Sequence, residues 1–285
     1  MTHDSLATPA TEPTPSTEPT PAPPVSDFPS SGFSPSDFPS SGFSPSGFPS
    51  SDFSFACDGE ILSCSEVVPG AARNPAVTVV LLHGAGAGSK VRLSGLQDDF
   101  AAHGCRALVL DFSGHGESTG RLGELSLRRR FAQAAAVVEE RVPGSDELVF
   151  VGFSMSGQTV ADLVAHFGAR VTGIGLCAPA VYATAAWPLP FGDGDGPFTE
   201  ILRTPGRWRE SAALDVYRDF PGRAVLVVPG TDAVIPPEVT AAVGAALSTR
   251  ARYTRLELPG ADHALGAWLR DRPEDRRRLV DALVG

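Results

Sequence analysis

A series of apolar runs restricts the fold of this chain more than any other feature. Five of them occupy residues 76–82, 107–112, 147–153, 171–177 and 223–228, and a shorter sixth occupies 253–258. Runs that are unbroken rather than alternating are typical of strands buried on both faces, as in a parallel sheet. Helical patterns lie between them, at 96–103, 126–142, 156–167, 237–247 and 273–283. This order predicts an α/β domain with a mostly parallel central sheet and helices on both faces.

The third apolar run leads into VGFSMSGQTV, which places Ser154 on the turn between a strand and a helix. Open parallel sheets bind ligands beyond the carboxyl ends of their strands. A helix N-terminus favours developing negative charge, and small residues allow a tight turn. Ser154 is therefore the candidate nucleophile. The alternatives are an ordinary turn that Ser154 caps, and a shifted register in which Ser156 is the nucleophile.

A serine needs a base to take its proton, and the base needs an acid to orient it. Asp232 follows the fifth run in PGTDAVIPP, and His263 follows the sixth in LPGADHAL. Either residue alone fits an ordinary loop, but their shared position after strands predicts a Ser154–His263–Asp232 triad. Asp193 and Asp195, after the preceding strand, are the alternative acids.

Four motifs together resemble the α/β-hydrolase superfamily, over residues 55–285. VGFSMSG is similar to the family's G-x-S-x-G elbow, with Gly152 in place but Ser156 where the second glycine belongs. LLHGAGAGSK resembles the oxyanion turn, DFSGHGEST resembles the DxxGHGxS segment, and the chain order Ser, Asp, His is that of the family. The resemblance implies an α/β-hydrolase fold with a short cap at 178–222.

The resemblance also implies roles for further residues. The backbone N–H groups of Ala85 and Met155 are expected to form the oxyanion hole, and His83 and His115 are expected to shape loops. Aromatic residues of the cap are expected to line the substrate pocket; they are Trp187, Phe191 and Trp208. Arg128, Arg129 and Arg130 are expected to form the solvated face of a helix.

Cofactor and metal motifs do not fit this sequence. A phosphate loop needs Gly-Lys followed by Ser or Thr, whereas the chain reads Gly88-Ser89-Lys90, and the dinucleotide fingerprint is also missing. GDGDG at 192–196 is a weak match to a calcium loop and fits a lid hinge better. The four cysteines lack metal-type spacing; Cys57 and Cys64 could pair, although reduced thiols are expected. We therefore expect no cofactor and no metal.

The N-terminal part differs in composition from the rest of the chain. Residues 1–53 contain no Lys or Arg, six acidic residues, and a ten-residue repeat, SDFPSSGFSP. Too little aliphatic surface is present to offset the entropy of ordering, which predicts a disordered tail over 1–54 and a domain over 55–285. The repeated Phe residues could alternatively dock a partner.

The remaining charge and hydropathy exclude several classes of function. Of the net charge of −10, six negative charges lie in the tail, and the rest of the chain has no basic stripe that would bind nucleic acid. No secretory leader and no membrane span are apparent, so a cytoplasmic protein with a small-molecule substrate is expected. The oligomeric state stays open.

The interpretation that best fits these residues is hydrolysis of a carboxylic ester or thioester. The same triad could serve an acyltransferase, a peptidase or a lyase, because fold alone does not separate these reactions. A non-catalytic binding protein on this fold is the remaining alternative.

Overall fold

Nine β-strands form one sheet in the computed structural model, which describes residues 40–73 and 76–285. The strands are β1 (Ser40–Phe43), β2 (Pro49–Cys57), β3 (Glu60–Val67), β4 (Val77–Leu82), β5 (Arg106–Leu110), β6 (Glu147–Phe153), β7 (Val171–Cys177), β8 (Arg223–Pro229) and β9 (Arg252–Leu258). Their order across the sheet is β1-β2-β3-β5-β4-β6-β7-β8-β9. The strands from β4 onward pair in parallel, while β1, β2 and β3 add an antiparallel end. The predicted mostly parallel sheet is confirmed.

Helices cover both faces of this sheet. In the described part of the chain they are α1 (Ser94–Ala102), α2 (Leu127–Arg141), α3 (Ser156–Phe167), α4 (Pro197–Arg203), α5 (Ala213–Asp219), α6 (Pro237–Leu247), α7 (Leu265–Asp271) and α8 (Pro273–Val284). α1, α7 and α8 pack on one face, and α2, α3, α5 and α6 pack on the other. Each face buries its own apolar cluster, because side chains of successive strand residues point to opposite sides. None of these helices is both long and apolar enough to cross a bilayer.

The predicted boundary between tail and domain at residue 54 is wrong, because β1 and β2 begin well before it. Phe53, Phe55 and Cys57 alternate with exposed residues, so one face of β2 packs on the core. Ser46 also links this segment to α1, because its Oγ donates a hydrogen bond to Asp98 Oδ2 at 2.8 Å. Residues 1–39, where most of the predicted tail lies, are outside the described residues.

The pairing of β2 with β3 also bears on the cysteines. Cys57 lies opposite Glu60, and Cys64 lies opposite Phe53. The two cysteines are therefore about four residues apart along the hairpin, or roughly 13 Å, which exceeds the reach of a disulfide. All four cysteines have free thiols.

The segment predicted as a short cap, 178–222, contains the helices α4 and α5. α5 packs against α3 and α6 rather than over the site, and the fully buried Tyr217 donates its hydroxyl to the Gly157 carbonyl. Half of the predicted cap is thus part of a helical layer of the domain.

The expectation that Arg128, Arg129 and Arg130 form a solvated face is wrong for two of them. Arg128 is exposed, whereas Arg129 is half-buried and forms an ion pair with Asp58. Arg130 is fully buried. The side chains of α2 face three different environments because successive residues of a helix lie about 100° apart.

Candidate active site

Ser154 lies at the tip of the turn between β6 and α3, with a backbone φ of +49°. The turn is tight because the chain passes close to its neighbours: a Cβ at Gly152 would lie 2.6 Å from Val160 Cγ2. A Cβ at Gly157 would lie 2.7 Å from the Ala180 carbonyl oxygen. Small residues are therefore required on both sides of Ser154, as the elbow motif predicts.

The three residues of the predicted triad meet at the carboxyl edge of the sheet. Ser154 Oγ lies 3.0 Å from His263 Nε2, and His263 Nδ1 lies 3.0 Å from Asp232 Oδ2. The other carboxylate oxygen, Asp232 Oδ1, accepts the N–H groups of Val234 at 2.8 Å and Ile235 at 3.0 Å. In this arrangement the imidazole can accept the proton of the serine hydroxyl, and the carboxylate of Asp232 contacts the other ring nitrogen.

The carboxylate of Asp232 is set up to stay ionised. Burial alone would raise its pKa, but the hydrogen bonds from His263, Ile235 and Val234 outweigh burial and hold the pKa below its ordinary value. The alternative acids, Asp193 and Asp195, are exposed in the loop before α4 and do not contact His263. The structure thus joins Asp232, and neither alternative, to the imidazole.

The two predicted oxyanion donors flank the nucleophile. Ala85 belongs to the loop after β4, and Met155 is the first residue after Ser154. The loop comes so close that a Cβ at Gly84 would lie 3.1 Å from Ser154 Cβ. Within the described residues, neither the Ala85 nor the Met155 N–H donates to a protein acceptor. Both donors are therefore available to a ligand.

A buried arginine joins the two halves of this site, and the sequence did not predict it. Arg130 Nη2 donates to the His83 carbonyl oxygen at 2.6 Å and to Ser156 Oγ at 2.7 Å. Ser156 Oγ in turn donates to the same His83 oxygen at 2.6 Å. Ser156, the departure from the elbow motif, thus connects α3 to the strand that leads into the oxyanion loop.

Arg130 has no carboxylate within ion-pair distance among the described residues. Its guanidinium carbon lies 3.8 Å from the centre of the Phe112 ring, which partly compensates the charge. Burial lowers the pKa of Arg130 to about 9, so the side chain remains a cation at neutral pH. No sequence pattern marks this contact, because Phe112, Arg130 and Ser156 come from three separate elements.

His83 and His115 serve as loop-shaping residues, as predicted. His83 Nδ1 donates to the Gly84 carbonyl at 2.6 Å, and its Nε2 accepts the Phe112 N–H at 3.1 Å. Burial lowers the pKa of both histidines, and that of His83 well below its ordinary value. Two fixed hydrogen bonds and a buried neutral ring leave His83 no proton-transfer role.

A cavity of about 230 Å³ opens beside Ser154. Its walls come from the oxyanion loop, the turn Lys90–Leu93 and the loop that follows His263; the lining includes Ala85, Ser89, Arg92, Leu93, Phe153, His263 and Leu265. Within the described residues, no cluster of three or more metal-ligating side chains is found here or elsewhere.

The predicted substrate-binding aromatics lie apart from this cavity, so that prediction needs correction. Phe191 is buried against Phe198, with ring centres 4.7 Å apart. Trp187 donates its indole N–H to Asp162 at 3.0 Å, and Trp208 packs under Arg209. None of the three lines the cavity. Their apolar surfaces instead pack the 178–222 segment against the rest of the domain.

Comparison with known proteins agrees with this fold. The model of the family described as "Serine aminopeptidase, S33" matches residues 73–205, somewhat less than half of the chain. No curated protein matches the sequence. Among solved structures, an esterase from Pyrococcus furiosus superposes with a TM-score of 0.59 at 16% identity, over 84% of this chain and 94% of that one.

Two further structures have the same architecture. The monoacylglycerol lipase of Paleococcus ferrophilus gives a TM-score of 0.56 at 18% identity, over 78% of this chain and 99% of that one. The thioesterase domain from the curacin biosynthetic pathway gives 0.59 at 16% identity, over 80% and 98%. The chain has the α/β-hydrolase fold. It shares the sheet of that fold with these structures, although few residues are identical.

Proposed function

We propose that this protein is a serine hydrolase of the α/β-hydrolase type, which cleaves a carboxylic ester or thioester through an acyl-enzyme. The observation that carries the proposal is the chain of two 3.0 Å contacts from Ser154 through His263 to Asp232, beside an open cavity. A base oriented in this way is what a serine hydroxyl needs to attack a carbonyl carbon. The esterase, lipase and thioesterase among the similar structures support the same substrate class.

The proposal gives each residue a role. Ser154 Oγ attacks the acyl carbon while His263 Nε2 takes its proton, and Asp232 accepts the Nδ1–H and stabilises the imidazolium. The N–H groups of Ala85 and Met155 hold the oxyanion of the tetrahedral intermediate. His263 then gives the proton to the leaving alcohol or thiol, and water activated by the same ring releases the acid.

A second candidate is aminopeptidase activity, which the description of the matching family model suggests. The substrate of an aminopeptidase carries an α-ammonium group close to the scissile bond. No Asp or Glu is present among the residues that line the cavity, whereas the cationic Arg92 is. This lining disfavours an ammonium group, so we retain the ester or thioester as the substrate.

The proposal is tested by labelling the full chain with a fluorophosphonate and by following p-nitrophenyl butyrate hydrolysis. We expect one label, on Ser154, and steady turnover; Ser154→Ala should lose both while its circular dichroism stays unchanged. Ser156→Ala is the matched control and should still be labelled, because Ser156 Oγ is buried against the His83 carbonyl. Labelling of Ser154→Ala, or no labelling of the unmodified chain, would contradict the proposal. Turnover of amino-acid p-nitroanilides above that of the ester would favour the aminopeptidase.

A further inference from the structure

The cavity beside Ser154 is lined by a basic side chain and by no acidic one. The basic side chain is that of Arg92. The Cβ of Arg92 lies near the start of α7, three residues after His263, since a Cβ at Gly266 would lie 4.0 Å from it. A cation is therefore built into the wall between the oxyanion loop and the catalytic histidine.

Arg92 differs from the other cation of the same turn. Lys90 Nζ is neutralised by Asp52 at 3.3 Å and by Glu117 at 3.0 Å. The guanidinium of Arg92 forms no ion pair or hydrogen bond with any residue that the structure describes; only its backbone N–H is bonded, to Ser89. The protein thus compensates the charge of Lys90, whereas Arg92, which lines the cavity, has no side-chain partner among the described residues.

A partly buried arginine that lines a cavity and has no side-chain partner among the described residues suits a ligand rather than a structural ion pair. Its planar donor fork matches the oxygens of a carboxylate or phosphate and binds them bidentately. Its surroundings strengthen such a contact, because the lining around it is mostly apolar or glycine.

We propose that Arg92 binds an anionic group of the substrate, a carboxylate or phosphate, and that the protein prefers acyl substrates that carry one. This inference rests on the proposed hydrolase function and narrows its substrate class. The anion can belong to the acyl part or to the leaving group, and in both cases the same guanidinium is the recognition element.

Two matched substrate pairs distinguish these sources. The mono-p-nitrophenyl ester of glutarate is compared with p-nitrophenyl valerate, which places the anion on the acyl part. The butyryl thioester of coenzyme A is compared with that of N-acetylcysteamine, which places it on the leaving group. We expect Arg92→Met to lower kcat/KM for one anionic substrate by about 10- to 100-fold, the range for losing a charged hydrogen bond. The neutral partners should change by less than about threefold.

Arg128→Met is the control, because Arg128 is exposed, lies on α2 and is absent from the cavity lining. It removes the same charge and should leave all four rates unchanged. Equal loss on neutral and anionic substrates in Arg92→Met, or no loss on either, overturns the inference. If the unmodified chain hydrolyses none of the four, the hydrolase proposal fails separately. Calorimetric titration with glutarate and with inorganic phosphate then decides on Arg92, whose inference fails if neither binds or if Arg92→Met binds them equally.

Discussion

Ser154 lies in the left-handed region of backbone conformation, which costs a residue with a side chain about 1–2 kcal/mol. Hydrogen bonds on both sides keep it there: its N–H donates to the Cys177 carbonyl, and its own carbonyl accepts from Ala180, each at 2.9 Å. Cys177 is the last residue of β7 and Ala180 lies just after it, so the end of the neighbouring strand holds the strained turn. The result is a hydroxyl that projects from the sheet edge towards His263.

The Asp232→Asn variant tests the acid of the triad. The amide presents the wrong partner to the His263 N–H and no charge to the imidazolium, so we expect a loss of kcat on the order of 10⁴-fold. Asp193→Asn, in the exposed alternative, should keep its rate. A loss below about tenfold in Asp232→Asn would show that another carboxylate serves His263.

The pKa of Asp232 also determines how the pH should affect kcat/KM. Because the pKa of Asp232 is held below its ordinary value, Asp232 stays ionised as the pH falls below neutrality. Protonation of this carboxylate should therefore lower kcat/KM only at a pH below the ordinary range of an aspartate. A fall in kcat/KM that follows protonation of the carboxylate at or above that range would contradict the prediction.

Arg130 offers a test of positioning as distinct from packing. Arg130→Met removes one of two donors to the His83 carbonyl and loosens the strand that leads to Ala85. We expect kcat to fall by about 10- to 100-fold with little change in KM. The melting temperature should not fall, because the variant also removes a buried charge that has no carboxylate partner.

Arg129→Met is the control for this experiment, since Arg129 pairs with Asp58 and does not touch His83. Its kcat should stay unchanged. A lower melting temperature in Arg130→Met, with kcat intact, would assign the arginine a structural role alone. Binding of a boronic-acid transition-state analogue should weaken in parallel with kcat if the oxyanion loop is what moves.

The sequence predicted some of the site residues and could not predict others. Ser154, Asp232 and His263 each follow a strand within a few residues, so strand prediction alone placed them at one sheet edge. Arg92 and Arg130 could not be found in this way, because arginine is ordinarily exposed and its burial depends on distant partners. The aromatic residues of 178–222 misled the prediction because an apolar side chain serves a pocket and a core equally well.

At the scale of elements, the strands and helices around the parallel sheet were predicted to within about three residues. Long apolar runs and periodic helices carry strong signals. β1 and β2 were missed because their residues are mostly Ser, Gly and isolated Phe, and only pairing reveals the alternation in β2. β3 was missed because Ser, Cys and Glu interrupt its apolar residues. The short helices α4, α5 and α7, each of seven residues, lack the length for a clear period.

At the scale of the whole molecule, the site depends on the parallel strands β4 to β9, while the antiparallel strands close one end of the sheet. Ser154 and His263 are 109 residues apart and come from loops after β6 and β9. β3 pairs with β5 on one side and with β2 on the other. The candidate site therefore lies on the parallel part of the sheet, and β1 and β2 supply no site residue.

Because β1 and β2 supply no site residue, their contribution can be measured by comparing a chain that starts at Ser40 with one that starts at Asp58. The shorter chain lacks β1 and β2, exposes the edge of β3, and loses the packing of Phe53 and Phe55 on the core. We expect its melting temperature to be lower by several degrees, and its elution in size-exclusion chromatography to show self-association. Its folded fraction should still be labelled at Ser154, because every residue of the triad and the oxyanion loop is retained. Equal melting temperatures for the two chains would show that β2 contributes no stability, and a fully folded but unlabelled shorter chain would place part of the site in the first two strands.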